Sequence, residues 1–157
     1  MSLLNNCTEV AFKFLSSVEI DNYGSNQHEF HGAKAFKQIF GYKRQYLNGT
    51  IIYIDSQNRI YSHNTLLTWY DAREESYDRS EFRFYYTKEI SVFYPKINNI
   101  LLISKDNNQN VIVIIIDNSK IINKILKNIN LFTSYKYSNG TSYYGDLFAT
   151  KFLQSII

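Results

Sequence analysis

At 157 residues the chain suits one domain and can bury a core of its own. A hydrophobic content of 45% with 17% aromatics excludes a disordered segment, and one Pro with six Gly excludes a linker or low-complexity protein. The net charge of +3 is compatible with a polyanionic partner but too small to demand one. The single cysteine, Cys7, excludes an internal disulfide. It suits a reducing, cytoplasmic setting and reads as a buried apolar side chain. No apolar run reaches membrane-spanning length, and residues 1–15 lack the basic start and long apolar core of a signal peptide. No membrane association is expected.

Residues 1–8 read as a polar lead-in. Val10–Ile20 alternates as a strand, with Val10, Phe12 and Phe14 on one face. A polar stretch follows, Gly24-Ser25-Asn26-Gln27-His28-Glu29-Phe30-His31-Gly32. In Ala33–Phe40 the residues Ala33, Phe36, Ile39 and Phe40 fall at helical spacing, and Gly41 can close the helix. Thr50–Asp55 reads as a strand, and a turn at Ser56-Gln57-Asn58 leads into strands at Arg59–Asn64 and Leu66–Asp71. Ala72–Arg79 is a charged loop, and Glu81–Thr87 pairs with the strand before it.

Ile100–Lys105 and Asn110–Asp117 form a hairpin around Asp106-Asn107-Asn108-Gln109. Val111–Ile116 is apolar on both faces and belongs deep inside. Asn118 or Ser119 caps a helix with the stripe Ile121, Ile122, Ile125, Leu126 and Ile129, while Lys120, Asn123, Lys124 and Lys127 face outward. The expected domain covers residues 1–132. Residues 133–157, ending in a helix over Asp146–Ile157, are either a linker towards a further domain or a closing element of this one. About seven strands, several short and turn-bounded, with two helices, predict an antiparallel barrel or sandwich.

Two stretches carry chemistry. In the first, the carboxamides of Asn26 and Gln27 fit an adenine edge bidentately, His28 can donate to phosphate or guanine, and Glu29 can accept from a cytosine amine. Lys34 and Lys37 follow at the helix start and suit phosphates. The plain alternative is a polar surface loop whose amides bond the backbone. The second stretch runs from Thr68, Trp69, Tyr70, Asp71, Ala72 and Arg73 to Arg79, Ser80, Glu81, Phe82 and Arg83. Strand alternation puts Phe82, Phe84 and Tyr86 on one face and Glu81, Arg83 and Tyr85 on the other, the candidate outer face. One of Trp69 and Tyr70 belongs to the core. Arg73 and Arg79 flank Glu74, Glu75 and Asp78, whose carboxylates repel phosphate unless they orient the arginines or read cytosine. The plain alternative is a surface salt-bridge cluster of little energetic weight.

His28-x-x-His31 can place two imidazoles near each other, with Asp71 or Glu29 as a further metal ligand. No cysteine cluster and no His-Glu-x-x-His pattern supports that reading, and unpatterned histidines such as these and His63 are more often surface or core residues. Metal-dependent DNA cleavage needs clustered carboxylates with a lysine. Beside Asp78 and Glu81 it is Arg83 that occupies the lysine's place, and Asp55 has no acidic partner at matching spacing. No catalytic centre, metal or cofactor is expected.

The run Ser25-Asn26-Gln27-His28-Glu29-Phe30, then Gly32 and an apolar helix ending in Phe40-Gly41, resembles one known family. So does Leu67-Thr68-Trp69-Tyr70-Asp71-Ala72-Arg73-Glu74 followed by Arg79-Ser80-Glu81-Phe82-Arg83-Phe84-Tyr85. The family is the DNA-recognition pseudobarrel domain of type II restriction endonucleases, as in the EcoRII effector domain and the recognition domains of BfiI and NgoAVII, a fold shared with plant B3-like DNA-binding domains. The resemblance covers roughly residues 10 to 130.

The resemblance implies a mainly β fold with short helices, an open seven-stranded pseudobarrel. Two arms, here Tyr23–Gly32 and Thr68–Arg83, would embrace the major groove of double-stranded DNA. It carries DNA contact onto Ser25, Asn26, Gln27, His28, Glu29, Trp69, Tyr70, Asp71, Arg73, Arg79, Ser80, Glu81 and Arg83. The resemblance does not separate base readers from residues that brace the arms; Glu29 with Arg83, and Asp71 with Arg73, are the candidate structural pairs. Family members attach this domain to a nuclease domain. This chain is too short for both, so it is expected to be the recognition part of a bacterial cytoplasmic restriction enzyme, or a stand-alone recognition protein, and not itself an enzyme. A protein- or ligand-binding barrel with Tyr-rich contact faces is the alternative, and a metal-dependent nuclease a weaker third.

Overall fold

The computed structural model describes residues 2–20, 28–32, 34–76, 78–88, 90–128, 135–136, 142–145 and 147–157. In chain order these form β1 (Cys7–Phe14), β2 (Glu29–His31), α1 (Lys34–Phe40), β3 (Gln45–Ile54), β4 (Ile60–Asp71), β5 (Phe82–Tyr86), β6 (Ile100–Asp106), β7 (Val111–Ile116), α2 (Ser119–Lys127), β8 (Tyr135–Lys136), β9 (Ser142–Gly145) and α3 (Leu147–Ile156). Short 3-10 turns stand at Ser17–Glu19 and Ser91–Phe93.

The strands make one sheet in the order β2-β5-β4-β3-β7-β6-β1-β9-β8. Strands β1 to β7 curl into an open half-barrel of seven, as the resemblance implied, and β9 with β8 extends the β1 edge. The sheet is mixed rather than antiparallel. β3 runs parallel to β7, from Gly49 opposite Val111 to Ile54 opposite Ile116. The two strands expected at 59–64 and 66–71 are one continuous 12-residue strand, β4, paired with β3 over its whole length. The first strand stops at Phe14, and Ser17–Glu19 turns away from it.

Period-two alternation sorts the side chains into two apolar layers. The inner layer holds Ile51, Tyr53, Leu67, Trp69, Phe84, Val113 and Ile115, closed by Phe36 and Phe40 of α1. The outer layer holds Ile52, Ile54, Ile114 and Ile116, covered by Ile121 and Ile125 of α2 and Leu153 of α3. β7 is flanked by strands on both edges and by a layer on each face, which is why its sequence is an unbroken apolar run. Asn118 caps α2, its side chain accepting from the amides of Lys120 and Ile121. Leu126 does not join the apolar stripe; it is exposed, while Ile129 lies outside the described residues. Gly41 ends α1 with φ +77, and its amide donates to the Lys37 carbonyl at 2.8 Å.

The open side of the half-barrel is closed by side chains. β2 is an edge strand, and an edge leaves backbone groups without ladder partners. Glu19, only 1% exposed, meets that edge: its Oε2 accepts from the His31 amide at 2.8 Å and pairs with Lys13 Nζ at 2.9 Å. Its Oε1 accepts from the Ser16 amide and hydroxyl. Lys13 Nζ also donates to the His31 carbonyl. Among the described residues no helix is long and apolar enough to cross a membrane.

Candidate nucleic-acid interface

Directly opposed residues on neighbouring strands share a face. Trp69 opposes Phe84 and Phe30 opposes Phe84, so these point inward. Tyr70 opposes Arg83, and Arg83 opposes His31; Thr68 opposes Tyr85, and Tyr85 opposes Glu29; these point outward. The exposed face of β4, β5 and β2 therefore gathers Glu29, Tyr70, Arg83 and Tyr85.

On this face the ionic groups form a connected chain. Glu29 accepts from Tyr70 Oη at 2.7 Å through Oε1 and pairs with Arg83 Nη1 at 3.0 Å through Oε2. Arg83 pairs with Glu81 at 2.5 Å, and the other oxygen of Glu81 takes Arg73 Nε at 2.8 Å. Asp71 pins the hairpin base, its Oδ1 accepting from the amides of Arg73 and Glu81. Glu29–Arg83 is thus a bracing pair. Asp71 holds the backbone of Arg73 while Glu81 holds its guanidinium. Two guanidiniums drive the Glu81 carboxyl down to about 2, and burial with the Glu29 hydrogen bond pushes the Tyr70 phenol up to about 12.

Arg44 completes the arrangement, a residue the sequence pattern had not singled out. Its guanidinium lies 5.1 Å from the Tyr70 ring centre and pairs with Glu74 at 2.9 Å. The one available signal was register: Gln45 pairs with Trp69, so its neighbour falls beside Tyr70. Arg44, Tyr70, Asp71, Arg73 and Glu74 line an open cleft of about 510 Å³. Arg79 and Ser80 stand exposed in the hairpin, and neither side chain engages another described residue. Every other guanidinium on this face is matched to a carboxylate.

Other expected contacts fall elsewhere. Trp69 is fully buried, and its Nε1 donates to the Gly41 carbonyl at 3.0 Å. Its burial removes it from any contact surface. Lys37 is half-buried, with Nζ 5.5 Å from the Phe82 ring centre. Lys34 opens α1, but its side chain, like the whole of Ser25, Asn26 and Gln27, lies outside the described residues. His28 is described: its φ is 51, its carbonyl accepts from the Tyr86 amide, and its ring stacks on Tyr86 at 5.6 Å. The first arm therefore joins β2 at the Tyr86 end of β5, whereas the hairpin leaves from the Phe82 end. Four residues separate these points, or roughly 13 Å of strand.

At the far end of β4 lies a second cleft, of about 400 Å³, lined by Tyr53, Asp55, Arg59, Tyr61, Phe93, Tyr94 and Asp117 among others. Tyr53 and Phe93 stack at 5.6 Å, and His63 stacks on Phe93 at 4.8 Å. Asp55 is engaged by Arg59, and Asp117 by Lys96. Among the described residues no group of His, Cys, Asp and Glu side chains is arranged to hold a metal. In comparisons with known proteins the chain matches no family model and no curated sequence.

Proposed function

We propose that this protein binds double-stranded DNA sequence-specifically, as the recognition domain of a type II restriction endonuclease. The observation that carries the reading is the connected chain Tyr70–Glu29–Arg83–Glu81–Arg73. It braces the root of the first polar arm against the root of the hairpin, where the exposed Arg79 side chain engages no other described residue. Such a network is what a pre-organised reading head needs, because side chains locked before binding lose less entropy on binding. The roughly 13 Å between the two arm roots is close to the width of a B-DNA major groove, about 12 Å. The motif resemblance at Ser25–Phe30 and Leu67–Tyr85 points the same way.

In this reading the exposed Arg79, with the amide-rich run Asn26-Gln27, reads base edges, and Glu29, Glu81 and Arg83 hold the arms in place. Cleavage belongs to a nuclease domain, in the same full-length protein or in a partner, and the setting is the bacterial cytoplasm. Selection of bound duplexes from a random pool tests this. A defined site should emerge. Arg79→Ala should lose about 1–3 kcal/mol of preference for one base pair while retaining binding to unrelated duplexes. A pool that returns no enriched site would sink the proposal.

The aromatic cleft at the other end of β4 is the observation that favours the second reading, a ligand-binding barrel. Indifference to DNA at low salt, with saturable binding of an aromatic compound that quenches tyrosine fluorescence, would establish it.

A further inference from the structure

The base-reading face and its hairpin set Arg44, Arg73, Arg79 and Arg83 against Glu29, Asp71, Glu74, Glu75, Asp78 and Glu81, a net acidic balance, so they supply none of the general phosphate attraction that DNA binding requires. The surplus charge sits elsewhere. The sequence has 17 Lys and Arg against 14 Asp and Glu. Helix α2 carries Lys120, Lys124 and Lys127 and no acidic residue, and so accounts for the whole excess. Spacings of four and three residues place the three lysines on neighbouring positions of one helix surface. All three are exposed, and none forms an ion pair among the described residues. The acid nearest to the helix in sequence, Asp117, is occupied by Lys96, Asn99 and Tyr53.

This arrangement is unfavourable by itself. Like charges at i, i+4 repel, and Lys120 stands in the first turn, where the helix dipole disfavours a cation. A polyanion laid across the helix would relieve both terms. The platform is also firm: Asn118 caps it, and Ile121 and Ile125 anchor it to the outer apolar layer.

Position links α2 to the candidate interface. The helix covers Ile52 and Ile54 on the outer surface of the sheet, and Ile121 lines a cleft with Ile54, Asn58 and Ile60 at the start of β4. Further along the same outer surface Tyr46 and Leu66 are uncovered, followed by Tyr70 and the hairpin. The 12 residues of β4 span roughly 36 Å, about one helical turn of B-DNA.

We infer that the lysine face of α2 is a sequence-independent contact to the phosphate backbone of the same duplex, about one turn from the groove the hairpin enters. This inference rests on the DNA-binding reading above. Its signature is counterion release. Each phosphate contact contributes about 0.9 to the slope of log affinity against log salt.

The test compares the parent with the triple variant Lys120→Gln, Lys124→Gln, Lys127→Gln on a random-sequence duplex about three turns long. The variant should bind more weakly, with a slope shallower by between about 1 and 3, and should weaken binding to a selected site and to unrelated duplexes by the same factor. The triple Lys→Arg variant should restore the parental slope. The Gln variant should melt at or above the parental temperature, because the repulsions are removed. A parent that binds DNA while the Gln variant keeps its slope overturns the inference and leaves the DNA reading standing. A parent that binds no duplex at low salt overturns both.

Discussion

Arg83 meets two carboxylates and Arg73 one, and the shared partner is Glu81. Because that carboxyl is depressed from 4.5 to about 2, its contribution to stability is complete above pH 4.5 and is lost as pH falls through the window down to 2. Glu81 is about one-third exposed, so solvent screening keeps the contribution within the range of surface pairs, at most about 1 kcal/mol. Glu81→Gln should therefore be slightly less stable than the parent near neutral pH, and the two urea midpoints should converge as pH approaches 2. His63 works in a higher window. Burial, then Lys88, lowers its pKa from 6.5, so the neutral form is favoured in the fold. The stability this gives is complete above pH 6.5 and declines as pH falls below it. His63→Phe keeps a ring against Phe93 and removes a buried nitrogen that has no hydrogen-bond partner among the described residues. It should flatten the stability profile between roughly pH 5 and 7, the range of ordinary imidazole titration; an unchanged slope would refute the assignment. At this scale the sequence showed which residues were polar and, through the resemblance, offered two pairs: Glu29 with Arg83 is an ion pair, whereas Arg73 gives its guanidinium to Glu81 and only its amide to Asp71. The spacing of Glu81 and Arg83 suggested a shared face, whereas the Glu29–Tyr70 bond joins residues 41 positions apart.

At the scale of elements, legibility followed locality. The β6–β7 hairpin, the Asn118 cap and the Gly41 stop all arise from contacts within a few residues, and each was readable in the chain. β4 was read as two strands because Asn64 and Thr65 look like a break. They are held within the ladder by β3 along the whole strand, with Asn64 opposite Thr50 and Thr65 opposite Gly49. The parallel β3–β7 pair joins distant segments and leaves no local mark. The Glu19 seam was invisible for the same reason, since its purpose depends on where β2 ends up. Glu19→Ala should cost about 3–5 kcal/mol, because it strands the nearly buried Lys13 ammonium and orphans the His31 amide. Glu19→Gln, which can still accept from that amide, should cost less. A difference between the two in denaturant midpoints tests the seam. Gly32 tests the neighbouring edge. A Cβ there would lie 2.5 Å from the Phe82 carbonyl oxygen and 3.0 Å from the Trp69 ring. Gly32→Ala must therefore push β2 from β5 and shift the Trp69 emission. An Ala variant with the parental spectrum and stability would refute this close approach.

At the scale of the whole molecule, the question is whether the C-terminal helix belongs to the half-barrel. The sequence left residues 133–157 between a linker and a closing element, because an apolar helix pattern does not say what it packs on. In the structure Leu153 is fully buried in the outer layer with Phe12, Ile54 and Leu102. Gln154 donates to the Leu4 carbonyl, and the Leu3 amide donates to the Ile157 carbonyl, so α3 also ties down the chain's first residues. Leu153→Ala should cost about 2–5 kcal/mol, the usual toll of a buried leucine truncated in a packed core. The reporter is at hand, since Trp69 is the only tryptophan and lies in the inner layer, on the other side of the sheet from Leu153. A cooperative domain unfolds all at once, whichever probe is followed. Urea curves from Trp69 fluorescence and from far-ultraviolet circular dichroism should therefore coincide in the parent and move together in Leu153→Ala. A tryptophan transition that stays in place while the dichroism curve splits would show that α3 is a separate unit, and that the outer layer does not need it.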